Sequence, residues 1–338
     1  MRYRSKTKSI RIVLRLIVGL TMILFVLDLS NAQNQEAFTS HKGQFRKAEP
    51  VSCGDELEDG HFELTGDLTC SEDPAIRIIG PAKLNLKGYT LSGHKGKNDC
   101  ILIEGDGAWV WNGIVKNCKD GIEIKLESDR NRITGVKSYN NKRRGFRIRG
   151  NKNLLFNCSA TYNDRKGFSI EKGDGNLVFN CLGTNNGQQG FSIEEGDGNK
   201  IYYSNSIANC RDGIEIDGGS HNRVINNFVE DNGNREICDE FGEDYNPWYY
   251  AGIDVTYNSE YSSENNEIKY NRACGNLGCV PCYDENLFPT CNARERDFWD
   301  ENVDENGDCD STNVWKNNRV VCKNVAPECS PKLEEPEQ

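Results

Sequence analysis

The stretch GFSIEKGDGN, Gly167 to Asn176, returns as GFSIEEGDGN from Gly190 to Asn199. The two copies differ at one letter and start 23 residues apart. Working outward, a shorter pattern of glycine, apolar, any residue, apolar recurs. It stands at Gly121-Ile122-Glu123-Ile124, Gly145-Phe146-Arg147-Ile148, Gly213-Ile214-Glu215-Ile216 and Gly252-Ile253-Asp254-Val255. Successive glycines are 24, 22, 23, 23 and 39 residues apart, the last being one period plus 16 inserted residues. A second pattern keeps step: Asn131-Arg-Ile133, Asn153-Leu-Leu155, Asn176-Leu-Val178, Asn199-Lys-Ile201, Asn222-Arg-Val224 and Asn266-Glu-Ile268. Asn140, Asn163, Asn186, Asn209 and Asn232 mark a corner before the next glycine.

Each period holds several strands of three to five residues and several sharp turns, with alternate residues pointing inward. Nothing has helical spacing over a useful length. A segment this short cannot bury its own apolar edge, but stacked coils can, with backbones bonded at about 4.8 Å between coils. Ile122, Phe146, Phe168, Phe191, Ile214 and Ile253 are expected to form one inward ladder. Asparagine suits the corners because it tolerates left-handed backbone and bonds neighbouring amides.

With these motifs the chain resembles the right-handed parallel β-helix repeat family, the pectin-lyase-like superfamily. Cys53-Gly54, Leu84-Asn85-Leu86-Lys87-Gly88-Tyr89 and Thr90-Leu91-Ser92-Gly93 resemble the entry coils of secreted members. The likeness covers roughly residues 51–275 and returns at Asn313 to Asn324. It implies an all-β solenoid and leaves the reaction open, because members include lyases, polygalacturonases, epimerases, copper-binding proteins and adhesins. The expected organisation is a signal peptide at 1–32, a disordered linker at 33–50, the β-helix at 51–290 and a cysteine-rich cap with an acidic tail at 291–338.

The signal reading rests on a basic start, an uncharged run from Leu16 to Leu27 and small residues at Ser30-Asn31-Ala32. Twelve helical residues span roughly 18 Å, short of a hydrocarbon core of about 30 Å, so no stable membrane span is expected after cleavage. An uncleaved anchor is the alternative. Fifteen cysteines behind such a segment imply disulfides in a secreted protein, with one thiol left over. Cys53 with Cys70 and Cys100 with Cys118 are candidate local bridges. Cys158 and Cys181, one period apart, form a stacked pair, bridged or free. The net charge of −11 argues against a nucleic-acid partner.

The resemblance directs attention to the outer face, where family enzymes hold sugar polymers. Residues between the inward ladders read Glu123, Arg147, Ser169, Ser192, Glu215 and Asp254. Glu215, Asp217 and Asp254 are the candidate acid–base groups, with spacings that suit paired carboxylates. Arg147 and Arg149 are the candidates for substrate carboxylates. The inserted loop adds Tyr245, Trp248 and Tyr249, whose aromatic faces suit sugar rings. Asn302, Asp304, Asn306 and Asp308 around Gly307 resemble part of a calcium loop, making calcium the one candidate cofactor. Asn157-Cys158-Ser159 is a glycosylation sequon. The Asp-Pro-His motif of the epimerases is absent, and Gly219-Ser220-His221 only approaches the Gly-His-Gly of the polygalacturonases. The expectation is an extracellular polysaccharide partner, processed by lyase, epimerase or hydrolase chemistry if the protein is catalytic. The alternative is a non-catalytic matrix, cell-wall or adhesion protein. An ice-binding face would need a flat threonine array, and this face is charged.

Overall fold

In the computed structural model the described residues are 47–242, 250–256, 263–274, 276–283, 289–295, 298–300 and 314–320. The signal segment, Tyr245, Trp248, Tyr249 and the calcium-loop candidates Asn302, Asp304, Asn306 and Asp308 lie outside them. The strands form a nineteen-stranded sheet, a ten-stranded sheet and a two-stranded antiparallel hairpin between Leu277–Tyr283 and Pro289–Glu295. Pairing in the two large sheets is parallel throughout, and partners lie about one period apart in sequence: Phe146 with Phe168, Phe168 with Phe191, Phe191 with Ile214. This is the register of a right-handed parallel solenoid of about 8 turns. The strands Phe298–Asp300 and Val314–Lys316 extend both sheets past residue 290, and Glu49–Pro50 opens the larger one before residue 51.

The ten-stranded sheet carries the glycine pattern. Phe146, Phe168 and Phe191 are fully buried and stack with ring centroids 4.8 and 4.7 Å apart. The glycines before them are required by close approach: a Cβ on Gly167 would sit 2.6 Å from the Gly190 carbonyl oxygen. The larger sheet covers two faces of each coil, joined where Trp109–Lys116 and Arg132–Tyr139 run through the corner unbroken.

Buried asparagine ladders hold the other corners. In one of them Asn163 Nδ2 donates to Asn186 Oδ1 at 2.9 Å, Asn186 to Asn209 at 2.9 Å and Asn209 to Asn232 at 2.8 Å. Its first rung is Asn141, not the expected Asn140, which instead has left-handed backbone with φ 53°. The left-handed corners fall on other asparagines, among them Asn157, Asn180 and Asn226. The turn Gly-Asp-Gly-Asn is scaffold. Gly175 and Gly198 have φ 64°, Lys152 and His221 fill the same position, and Asp174 Oδ1 accepts the Asp197 amide at 2.8 Å.

One helix breaks the pattern. Arg235–Phe241 in the insertion is capped by Asn234, whose side chain accepts from the Ile237 amide, and ends at left-handed Gly242. At seven residues it is too short to stand alone. It is fixed by a disulfide from Cys238 to Cys210, a pairing the sequence did not reveal. Cys53–Cys70 and Cys100–Cys118 are bridged as expected, and Cys158 and Cys181 are buried free thiols. No helix among the described residues is long and apolar enough to cross a membrane.

Candidate functional site

The outer face of the ten-stranded sheet is a grid of three columns. In the middle column Glu123, Arg147, Ser169, Ser192, Glu215 and Asp254 are registered neighbours. Two residues on lie Lys125, Arg149, Glu171, Glu194, Asp217 and Thr256, and three residues back stand Asp120, Arg144, Lys166 and Gln189. One coil is therefore arginine in all three columns: Arg144, Arg147 and Arg149.

The arginines are engaged by the coils on either side. Arg147 Nη2 lies 2.7 Å from Glu171 and its Nη1 3.4 Å from Glu123. Arg149 also pairs with Glu123, and Arg144 reaches Glu171 at 2.8 Å. Glu171 beside Arg147 raises that guanidinium's pKa despite its burial. Arg147 and Arg149 thus line a cleft of about 370 Å³ with Arg77, Lys119, Lys125 and Asp99. That lining carries more cations than anions in a chain of net charge −11.

At one edge of the cleft, ligand atoms of Asp99, Asp120 and Glu123 lie within 4.8 Å of one another. The trio does not fit a divalent cation. Lys119 bonds Asp99 at 3.0 Å, Arg144 lies 3.8 Å from Asp120 and two arginines share Glu123, so its charge is already met. Asp120 Oδ2 is buried without a hydrogen-bond partner, and burial raises the Asp120 pKa.

Glu215, Asp217 and Asp254 come together as expected, Glu215 directly beside Asp254 on adjacent strands. Glu215 and Asp217 lie three strands from Arg147, roughly 14 Å at the spacing of paired strands, and Asp254 one strand farther. Sequence reasoning missed Lys166 and Glu194. Lys166 Nζ lies 2.6 Å from Glu194 Oε1 and 3.9 Å from Glu215 Oε2. Ser192 Oγ contacts the same two carboxyls, at 2.9 and 3.4 Å. Burial raises the Glu215 pKa, with Lys166 opposing and Glu194 adding to the rise. Glu194 is also desolvated, but Lys166 outweighs this and its pKa falls. Burial likewise raises Asp217. Asp254 is 2% exposed, so it sits beside Glu215 without facing solvent. Reading the column three residues before each Glu or Ser would have found Lys166.

Asn157 is exposed at its left-handed corner and accepts a bond from Asn180 Nδ2 at 2.6 Å. His221 occupies an exposed turn away from the cluster's column.

Residues 120–280 match the family described as "Right handed beta helix region". No curated protein sequence matches the chain. Among solved structures, the Dettilon tailspike protein gp208 is 18% identical with TM-score 0.48, over 79% of this chain and 47% of its own. The alginate lyase from Paenibacillus sp. str. FPU-7 is 14% identical with TM-score 0.46, over 67% and 79%. The periplasmic alginate epimerase AlgG is 14% identical with TM-score 0.42, over 70% and 64%. The chain thus spans less than two thirds of the tailspike and the epimerase. Strand register and the family match over 120–280 agree on the fold: the chain folds as a right-handed parallel β-helix.

Proposed function

We propose that the outer face of the ten-stranded sheet binds an acidic extracellular polysaccharide and hydrolyses it at Glu194 and Glu215. The observation that carries this reading is one ammonium, Lys166, 2.6 Å from Glu194 and 3.9 Å from Glu215, beside which the first carboxyl's pKa is lowered while burial raises the second's. Two titratable neighbours pushed in opposite directions are the arrangement that separates a base from an acid. Glu215, holding its proton, would donate it to the glycosidic oxygen. Ionised Glu194 would attack or shield the anomeric carbon, or activate a water. The hydroxyl of Ser192 bridges the two groups, contacting Glu194 at 2.9 Å and Glu215 at 3.4 Å, so both carboxyls face one point on the sheet. Arg147, Arg149 and Lys125 would meet sugar carboxylates farther along the same face. The disulfides among the described residues, Cys53–Cys70, Cys100–Cys118 and Cys210–Cys238, support an oxidising, extracytoplasmic setting.

The test is incubation with pectin, alginate and other uronans, reading reducing and unsaturated ends. Wild type should release reducing ends, and Glu215→Gln should lose at least about a hundredfold, the usual worth of a general acid. No release from any uronan would discard the hydrolase. The alternative in that event is the non-catalytic matrix or adhesion role.

A further inference from the structure

The larger sheet has a face of opposite character. Its outward positions form two columns from Lys83–Asn85 to Arg223–Ile225, seven strands or about 29 Å at the strand spacing. In one column Trp111, Thr134, Phe156, Phe179, Tyr202 and Ile225 follow in register. In the other, Trp109, Leu154 and Leu177 alternate with Lys83, Arg132, Lys200 and Arg223. No acidic residue stands in either column over these seven strands, although the chain as a whole is acidic. The large side chains are half-buried in a solvent-facing row, not packed in the core. The rings touch along the row: Phe156 and Phe179 are 5.8 Å apart, Phe179 and Tyr203 5.4 Å, and Trp109 and Trp111 4.6 Å. Tyr203 holds φ 51°, a conformation a bulky residue rarely adopts, where the coils on either side have asparagine. A contiguous apolar strip of this kind marks an interaction surface.

We infer that this aromatic and basic face is a second binding surface, for an extended anionic polysaccharide laid across the strands. The chemistry selects the occupant. Aromatic rings accept the C–H faces of sugars, and the flanking cations select a polymer bearing carboxylates or sulfates. A single-stranded nucleic acid would satisfy the same rings and charges. The disulfides, which form outside the cytosol, disfavour it. Arg132 already lies over the Trp109 ring at 5.2 Å, so cation and ring form one composite surface. The face is distinct from the carboxyl cluster, so one polymer could be anchored here while another segment reaches Glu194.

Affinity electrophoresis and calorimetry of the full chain with alginate, polygalacturonate and a sulfated galactan provide the test, with hydroxyethylcellulose as the neutral control and oligo(dT) as the nucleic-acid control. The expected result is retention by an anionic polymer that weakens as salt rises. Lys200→Glu with Arg223→Glu should raise Kd about tenfold or more and flatten the salt dependence. Phe179→Ala should weaken binding with the salt dependence unchanged; a circular dichroism melt confirms that each variant is folded. Three outcomes would overturn the inference. They are binding lost only in Arg149→Ala, which returns the ligand to the other sheet; preference for oligo(dT); and concentration-dependent self-association abolished by Phe179→Ala, which makes the strip a contact between copies.

Discussion

At the residue scale, the informative groups are those the scaffold holds away from their ordinary ionisation. Asp120 is raised by burial, so the folded chain holds its proton more tightly than the unfolded chain does. Its contribution is then fully present below the unfolded pKa of about 3.9 and is lost as pH rises through the higher folded value. Asp120→Asn keeps an oxygen for the Arg144 amide, which now donates to Oδ1 at 2.9 Å. It should raise the melting temperature at pH 7 and leave it unchanged near pH 3, read by thermal melts at both. Glu194 and Glu215 give a paired expectation. Activity needs ionised Glu194, so it falls as pH drops through a depressed pKa. It also needs protonated Glu215, so it falls as pH climbs through a raised one. The rate–pH profile should be a bell, and Glu215→Gln should remove the high-pH limb from whatever activity persists. Phe168 is a third case, sandwiched between Phe146 and Phe191. Phe168→Ala should cost about 3–5 kcal/mol in denaturant unfolding, because the rings above and below cannot close the gap.

At the element scale, the ladders and the inserted helix behave differently. Asn186 Oδ1 accepts both the Asn163 amide at 3.2 Å and the Asn163 Nδ2 at 2.9 Å. Asn186→Ala strands both donors in the interior and should cost about 1–3 kcal/mol for each, measured against the wild-type denaturant midpoint. The helix Arg235–Phe241 depends on Cys238. Cys238→Ser should raise amide exchange across residues 234–242 and leave the coils as protected as before. The same contrast explains what the sequence disclosed. Strands, inward ladders and turns repeat 23 residues apart, so each coil corroborates the others, and an error of one residue arose only at the Asn140-Asn141 doublet. The helix occurs once, with nothing to compare it to, and is held by a cysteine 28 residues away. Glu215 beside Asp254 followed from the period alone. The ion pairs that occupy Arg147 and Arg149 did not, because spacing places a side chain on a face without saying which neighbour its guanidinium will turn toward.

At the scale of the whole molecule, the repeat makes length nearly modular. Removing residues 168–190, one full period, should leave a folded chain with the same circular dichroism and a lower melting temperature. Removing 20 residues from the same place should abolish folding, since every later residue would fall out of its ladder. The two sheet faces would shorten together, so any polymer spanning them should lose affinity in step. The amide-to-carbonyl bonds between coils carry a further consequence. From Gly54 to Arg211 each links a coil to the next, about one period away, as Phe146 to Gly167, Phe168 to Gly190 and Phe191 to Gly213 show. No coil in this stretch waits on backbone partners from the far end of the chain. Each finished turn presents the edge on which the next can form, so the protein is suited to assemble progressively, in the order in which its residues are synthesised.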